Sequence, residues 1–332
     1  MLLRMHIEPI VKALADPTRL RIMRLIGVIE LAIGELAQVL CQSQPRVSRH
    51  VGILCDAGLA ERNREGSWVF LRARAGRDRG SPMGEAVAHL LATAEREDPE
   101  FAAACADDRR HLAAIRASRE EHAASFFAAH AEEWDQLRSL HSPDQLVEER
   151  LIAALGDHAL GAVLDIGTGT GRMAELFAPR AGSIVALDKS LDMLRVARAK
   201  LQHLPADAVE LVQGDFAALP FAPQRFDTVL LHQVLHFALD PAAALMEAAR
   251  VTRDGGRIVI IDFASHGHEE LRDRYAHVRL GFTDAALAAM MAQAGFEPAP
   301  PIALDGGELM VKIWMGSRRA NQISADQTKS VK

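Results

Sequence analysis

Residues 163–173 read VLDIGTGTGRM. Gly167, Gly169 and Gly171 stand at every second position behind a short apolar run, with Thr168 between the first two. Glycines so placed let a backbone turn sharply and approach a ligand closely. The spacing is G-x-G-x-G, not the G-x-G-x-x-G that a dinucleotide's pyrophosphate favours. Asp165 lies two residues ahead of the first glycine, either touching a ligand or bracing the turn. Asp188 closes VALDKS (185–190), followed by Lys189. A carboxylate there accepts both hydroxyls of a ribose. Asp215, in VQGDFAALPF (212–221), is placed for the exocyclic amine of a base. RFDTVLLHQVLHF (225–237) carries His232 and His236. These are candidate general bases for an acceptor that must lose a proton early, and equally candidate positioning groups.

The elements that must hold these residues are strands alternating with helices. AVLDI, SIVAL, VELVQ, FDTVLLHQV and RIVIIDF read as strands, most of them separated by helical segments. That pattern is α/β with a mostly parallel sheet, and it puts the candidate residues at carboxyl ends of strands, where such sheets bind ligands. GELMVKIWMG (307–316) reads as a last strand. The ordered series from LDIGTGTG through LDKS, GDFAALPF and FDTVLLHQVLH to RDGGRIVIIDF resembles the class I S-adenosylmethionine-dependent methyltransferases over about 125–316. The resemblance implies a Rossmann-like domain binding S-adenosylmethionine or S-adenosylhomocysteine. The glycine loop would hold the methionine part, Asp188 the ribose, and Asp215 with Phe216 the adenine. Lys189 and His232 join the candidate cofactor residues, and the final strand would insert antiparallel. SFFAAHAEEWDQL (125–137) presents Phe126, Phe127, His130 and Trp134; in related enzymes such a segment folds over the cofactor. SHGHEELRDRYAHVRLGF (265–282) is dense in His and carboxylates, and reads as a capping or solvated segment rather than a metal site.

A different chemistry sits in QSQPRVSRHVGIL (42–54). Ser43 suits an N-cap and Pro45 the first turn. Val47, Val51 and Leu54 form one apolar stripe, leaving Gln44, Arg46, Ser48, Arg49 and His50 as donors for DNA. IGELAQVL (33–40) reads as the preceding helix, so the pair is a helix-turn-helix. ADPTRLRIMRLI (15–26) has Asp16 as cap and Pro17 at the first helical position. ERNR and SWVFLR flank EG as a β-hairpin bearing Arg62 and Arg64. Over about residues 5–75 this order resembles the ArsR family of winged-helix repressors. Many ArsR-type sensors carry a Cys-x-Cys pair before the recognition helix; Ala32 and Gly34 stand there instead. Cys41 and Cys55 read as small buried apolar residues. A soft-metal sensor is therefore disfavoured. An arsenite methyltransferase is disfavoured too, because no cysteine lies in 125–332.

The charge distribution supports the division. Residues 1–80 carry 13 Lys/Arg against 8 Asp/Glu, and the remainder 25 against 36, so a basic part meets an acidic one. Only the first suits a phosphate backbone. With 49% hydrophobic and 25% charged residues in 332, the chain is long enough for two globular domains. No apolar run is long enough to span a bilayer. Arg4, His6 and Glu8 interrupt any signal-peptide pattern, and three cysteines fit a reducing cytoplasm. The expected organisation is a winged helix-turn-helix over 1–75, a helical linker or dimerisation segment over 76–124, the methyltransferase domain over 125–316 and a disordered tail over 317–332. GRDRGSPM (76–83) reads as the linker proper, and the helix over 99–141 as very long or broken near Ala123. The expected partners are operator double-stranded DNA, a second copy of the chain and a small-molecule methyl acceptor, with no membrane. The function expected is a transcriptional regulator, a repressor, whose second domain senses the cofactor or methylates a small molecule. The alternative is an active methyltransferase that uses the winged helix for autoregulation or targeting.

Overall fold

The computed structural model describes residues 7–65, 68–74, 82–139, 144–304 and 309–319. The chain divides into two compact units, Met1–Ala123 and Ala124–Lys332. Residues 76–81 of the linker expected over 76–83, and 320–332 of the tail expected over 317–332, lie outside the described residues; Ser317 and Arg318, expected in that disordered tail, instead end the last strand, where they pair with Glu297 and Phe296.

The first unit runs α1 (Ile7–Leu14), α2 (Pro17–Ile26), β1 (Leu31–Ala32), α3 (Ile33–Val39), α4 (Gln44–Asp56), β2 (Ala60–Glu65), β3 (Trp68–Ala73), α5 (Pro82–Glu97) and the larger part of α6 (Pro99–His130). Asp16 caps α2 by accepting from Arg19 N–H, with Pro17 next. Ser43 occupies the N-cap position of α4, though its side chain makes no capping bond. The stripe Val47, Val51 and Leu54 is fully buried. Gly58, at φ +72°, takes the left-handed conformation that lets the chain leave α4 for β2. β2 and β3 pair antiparallel, and β1 adds a third strand to β3. Helix-turn-helix plus hairpin is the winged-helix architecture.

Four details depart from expectation. Pro82 and Met83 open α5 instead of ending a linker, consistent with proline's fixed φ at a helix start. α6 takes the long form of the two expected, passing Ala123 unbroken because an Ala-rich run without Gly or Pro gives it no reason to stop there, but it ends at His130 and not at 141. Cys41 is exposed, not buried, because it turns the chain between α3 and α4 at φ +52°. Cys55 is only partly buried, while Cys105 is the buried thiol. Val87, Leu91 and Leu112 of α5 and α6 complete this unit's core. Arg21 grips buried Asp108 with two bonds, one of 2.7 Å. Arg119 pairs with Glu35 and lies 5.4 Å from the Trp68 ring. Glu35 in turn accepts the Ala32 N–H at the start of α3.

The second unit opens with the end of α6. A short 3-10 turn (Ala131–Glu133), α7 (Trp134–Ser139) and α8 (Asp144–Leu155) follow. Then come β4 (Ala162–Ile166), α9 (Arg172–Phe177), β5 (Ser183–Asp188), α10 (Leu191–Leu201), β6 (Val209–Gln213), β7 (Phe226–His232), α11 (Pro241–Val251) and β8 (Thr252–Phe263). α12 (Glu270–Tyr275), α13 (Asp284–Ala294), β9 (Phe296–Pro298), β10 (Ile302–Leu304) and β11 (Val311–Arg318) complete it. The strand order is β10-β11-β8-β7-β4-β5-β6, with β9 also on β11. β4 to β8 are parallel and β11 is antiparallel to β8. β9 and β10 are too short to give a period-two signal in the sequence.

Alternation along the strands divides the core between the two faces of the sheet. Leu164, Ile166, Val185 and Leu187 face one side with α11 and α13. Val163, Ile184 and Ala186 face the other with Leu151 of α8 and Phe177 of α9. The order of connection reverses between β4 and β7, and this is where an open α/β sheet forms its ligand crevice.

Candidate functional site

At that switch point the loops after β4 and β7 touch. A Cβ on Gly167 would lie 2.3 Å from Val234 Cγ2, so the close approach requires glycine. Gly167, Gly169 and Gly171 all have positive φ, between +55° and +84°. Asp188, at the end of β5, braces this loop: one carboxylate oxygen accepts Gly169 N–H at 2.8 Å and the other accepts Ser190 N–H at 2.8 Å. Two bonds leave acceptor capacity on both oxygens, as ribose hydroxyls require. Burial pushes the Asp188 carboxyl above its ordinary range.

Asp165 is 1% exposed and accepts the Thr168 hydroxyl at 2.6 Å. Its second oxygen is buried without a hydrogen bond. Burial lifts this carboxyl to about 7, with the Thr168 bond opposing. Asp215 follows β6; it accepts Lys189 Nζ at 2.9 Å and Ala217 N–H at 2.8 Å. These bonds outweigh its burial and hold its carboxyl below the usual range. Phe216 packs its ring on the core behind it. The carboxyl ends of three adjacent strands thus present a glycine cradle and two carboxylates in order. This donor set fits a nucleoside with a cationic amino-acid tail.

Asp135 and Arg138, which carry no sequence signal of their own, join the cradle together with the expected Trp134. Asp135 of α7 accepts the Thr170 hydroxyl at 2.7 Å and Lys200 Nζ at 2.7 Å, tying α7 to the glycine loop. Trp134 lies over the loop, its Nε1 3.4 Å from where a Gly169 Cβ would be. Arg138 of α7 is 8% exposed, and its Nη1 lies 3.4 Å from His232 Nδ1. Only the position of Asp135 beside the singled-out Trp134 pointed this way.

The two candidate histidines differ in which nitrogen is available. A guanidinium only donates, so His232 Nδ1 accepts and its proton sits on Nε2. Desolvation and Arg138 push the His232 imidazole well below its ordinary range. His236 is the reverse. Its Nδ1 lies 2.8 Å from Asp262 Oδ1, and a carboxylate only accepts. A proton is therefore on Nδ1, and in the neutral ring Nε2 is the nitrogen that carries the lone pair. Asp262 is fully buried and also accepts His236 N–H and Phe263 N–H.

Around His236 stands a wall of rings. Phe127 lies 5.4 Å from Trp134 and 5.0 Å from Phe237. His236 lies 4.0 Å from Phe237, 4.2 Å from His277 and 5.1 Å from Phe263. Phe126 adds His130 at 4.4 Å and Tyr275 at 6.3 Å. The chain has 12 Phe, 3 Trp and 1 Tyr, and six of them gather here beside the glycine loop. Among the described residues, no three His, Cys, Asp or Glu gather to hold a metal.

In the first unit, Gln44, Arg46, Ser48 and Arg49 are exposed on α4. His50 is half-buried instead, its Nδ1 3.6 Å from Asp16 Oδ1, so it faces α2 rather than solvent. Arg62 and Arg64 are exposed on β2, with the Arg62 guanidinium near Gly52 of α4.

Comparison with known proteins gives two family matches. The family described as bacterial regulatory protein, arsR family, covers residues 16–62. The family described as methyltransferase domain covers residues 164–260. A demethylmenaquinone methyltransferase of Renibacterium salmoninarum is 30% identical over 210 residues, which is 63% of this chain and 84% of that one. One from Thermobifida fusca is 35% identical over 143 residues, 42% of this chain and 61% of that relative's length. A methyltransferase chain in the solved Haloferax volcanii complex with the Trm112 methyltransferase activator superposes at TM-score 0.51. It is 20% identical, over 58% of this chain and 98% of that one, which bears on fold alone. The second unit is a Rossmann-like methyltransferase domain whose cofactor is S-adenosylmethionine. The chain belongs to the class I S-adenosylmethionine-dependent methyltransferases and carries an ArsR-family winged helix ahead of that domain.

Proposed function

We propose that this chain is a DNA-binding transcriptional regulator whose second domain methylates a small hydroxylated aromatic acceptor, and that occupancy of that domain sets operator affinity. The observation that carries the proposal is the ring wall beside the glycine loop, which offers stacking partners to a planar acceptor. The quinone-pathway names of the relatives support the same acceptor class. In this reading residues 1–75 are the DNA-binding domain, 76–124 the helical linker and dimer contact, and 125–316 the methyltransferase domain.

Gly167, Thr168, Gly169 and Gly171 would hold the amino-acid end of the cofactor, Asp188 the ribose, and Asp215 with Phe216 and Lys189 the base. When bound, S-adenosylmethionine supplies an electrophilic methyl group on a sulfonium. The chain's own work is to orient the acceptor and move one proton. His236 Nε2 takes the acceptor's hydroxyl proton, Asp262 stabilises the imidazolium that forms, and the acceptor's oxygen then bonds the methyl carbon as the carbon–sulfur bond breaks and S-adenosylhomocysteine leaves. His232, with its proton on Nε2, is a positioning donor and not the base.

On the DNA side, Arg46 and Arg49 with Gln44 and Ser48 would meet the major groove and its phosphates, and Arg62 and Arg64 the flanking backbone. α6 is the covalent route between the units. Within the first unit, Arg119 would pass a change in α6 to the start of α3 through Glu35 and to the hairpin through Trp68.

Two measurements test the reading. Incubation with S-adenosylmethionine and a panel of naphthols and quinols should add one methyl group to some member, by mass spectrometry. Operator titration at fixed salt, without ligand and with each cofactor form, should shift roughly 5- to 150-fold if coupling is of typical size. Curves that superimpose within about twofold would leave an enzyme with a DNA tether.

A further inference from the structure

Beyond the end of β8, the segment carrying His266 is pinned by its backbone. Ser265 N–H donates to Phe282 O at 3.0 Å and His266 N–H to Leu280 O at 3.0 Å. The imidazole is fixed as well. His268 N–H donates to His266 Nδ1 at 3.3 Å, so Nδ1 is the lone-pair nitrogen and the proton sits on Nε2. That Nε2 is buried and has no hydrogen-bond partner. Burial, with His268 and His236 nearby, pushes the His266 imidazole down to about 4, so it is neutral at physiological pH.

A buried N–H donor without a partner costs free energy, and such groups recur where a ligand completes the set. The location agrees. The Phe263 ring is flanked by both imidazoles, His236 at 5.1 Å and His266 at 6.0 Å from its centroid. One offers a lone pair and the other an N–H.

We propose that His266 is an acceptor-binding residue whose Nε2–H donates to an oxygen of the methyl acceptor, a phenolate or ring carbonyl. The proposal rests on the aromatic-acceptor reading and names its specificity determinant. A neutral donor stabilises the oxygen as negative charge develops without surrendering its proton at neutral pH. It therefore divides the work with His236, which receives the proton. A ring lacking oxygen at that position would leave the donor unpaired.

The test uses the full chain saturated with S-adenosylhomocysteine and two probes of similar shape, 2-naphthol and 2-methylnaphthalene. Calorimetry should show His266→Ala losing about tenfold or more in 2-naphthol affinity, with 2-methylnaphthalene and S-adenosylhomocysteine affinities unchanged. His266→Gln, which retains an N–H donor, should recover most of the loss. Equal loss for both probes means a structural role and overturns the proposal. So does wild-type 2-naphthol affinity in His266→Ala, which leaves the acceptor class standing. Failure of the wild-type chain to bind either probe while it binds S-adenosylhomocysteine overturns the aromatic-acceptor reading and this proposal with it.

Discussion

Asp165→Asn should change the pH dependence of stability by a calculable amount. Burial raises the carboxyl from an ordinary 3.8 to about 7 in the folded chain. Between those values the folded state binds a proton that the unfolded state has released, so stability falls as pH rises. The separation corresponds to about 4 kcal/mol, lost progressively from pH 4 to pH 7 and level above. Asparagine keeps an oxygen for the Thr168 hydroxyl and never ionises. Its stability relative to the wild type should therefore rise by several kcal/mol over that window, while every other titrating group cancels in the difference. Denaturant unfolding of both proteins without cofactor, at a series of pH values, measures it. In a Trp68→Phe background, Trp134 and Trp314 report on the second unit. A difference that does not vary with pH would refute the reasoning: Asp165 would then be ionised and stabilised by a partner. The same series decides its role. If Asp165 touches the cationic end of the cofactor, wild-type affinity rises with pH across the window; if it only braces the turn, affinity is flat.

Arg46→Ala and Arg49→Ala should each weaken operator binding in gel-shift titrations, with S-adenosylhomocysteine affinity unchanged. The salt slope should fall by about one for each phosphate that is no longer neutralised. Wild-type DNA affinity in both would remove α4 as the reading helix. Asp188→Ala should lose most cofactor affinity by calorimetry, on the order of 1.5–3 kcal/mol for each charge-assisted bond. Retained affinity would place the ribose elsewhere. Asp135→Asn should weaken cofactor binding by about 1 kcal/mol, roughly fivefold, by loosening α7 from the glycine loop. An unchanged dissociation rate for the cofactor would show that α7 does not cover it.

The parts of the fold that were legible in the sequence are those governed by local chemistry. Asp16 and Pro17 announce α2 because a capping oxygen and a fixed φ act within one turn. Val47, Val51 and Leu54 are readable because helical period alone places them on one face. β4, β5, β7 and β8 show as apolar runs because both faces of the sheet are covered there, whereas β6 at the sheet edge reads VELVQ and is only partly buried. The illegible parts are governed by partners distant in sequence. Nothing near Cys41 says that the turn between α3 and α4 exposes it beside His111 of α6. Nothing in a 32-residue Ala-rich helix states where it should stop.

The site divides along the same line. The glycines, Asp188 and Asp215 could be read because each lies at a strand end that the strand itself defines. Histidine roles could not be read, because a role depends on which ring nitrogen is engaged. His232 and His236 are four residues apart and equivalent as sequence. Arg138, far back in the chain, occupies Nδ1 of one; Asp262, on the next strand, occupies Nδ1 of the other. The first contact leaves a donor and the second leaves a base. His266 follows the same rule from a backbone N–H two residues away. Three imidazoles of identical chemistry thus take two proton positions from three unlike partners, Nε2 in His232 and His266 and Nδ1 in His236, and that asymmetry is what a hydroxylated acceptor would meet.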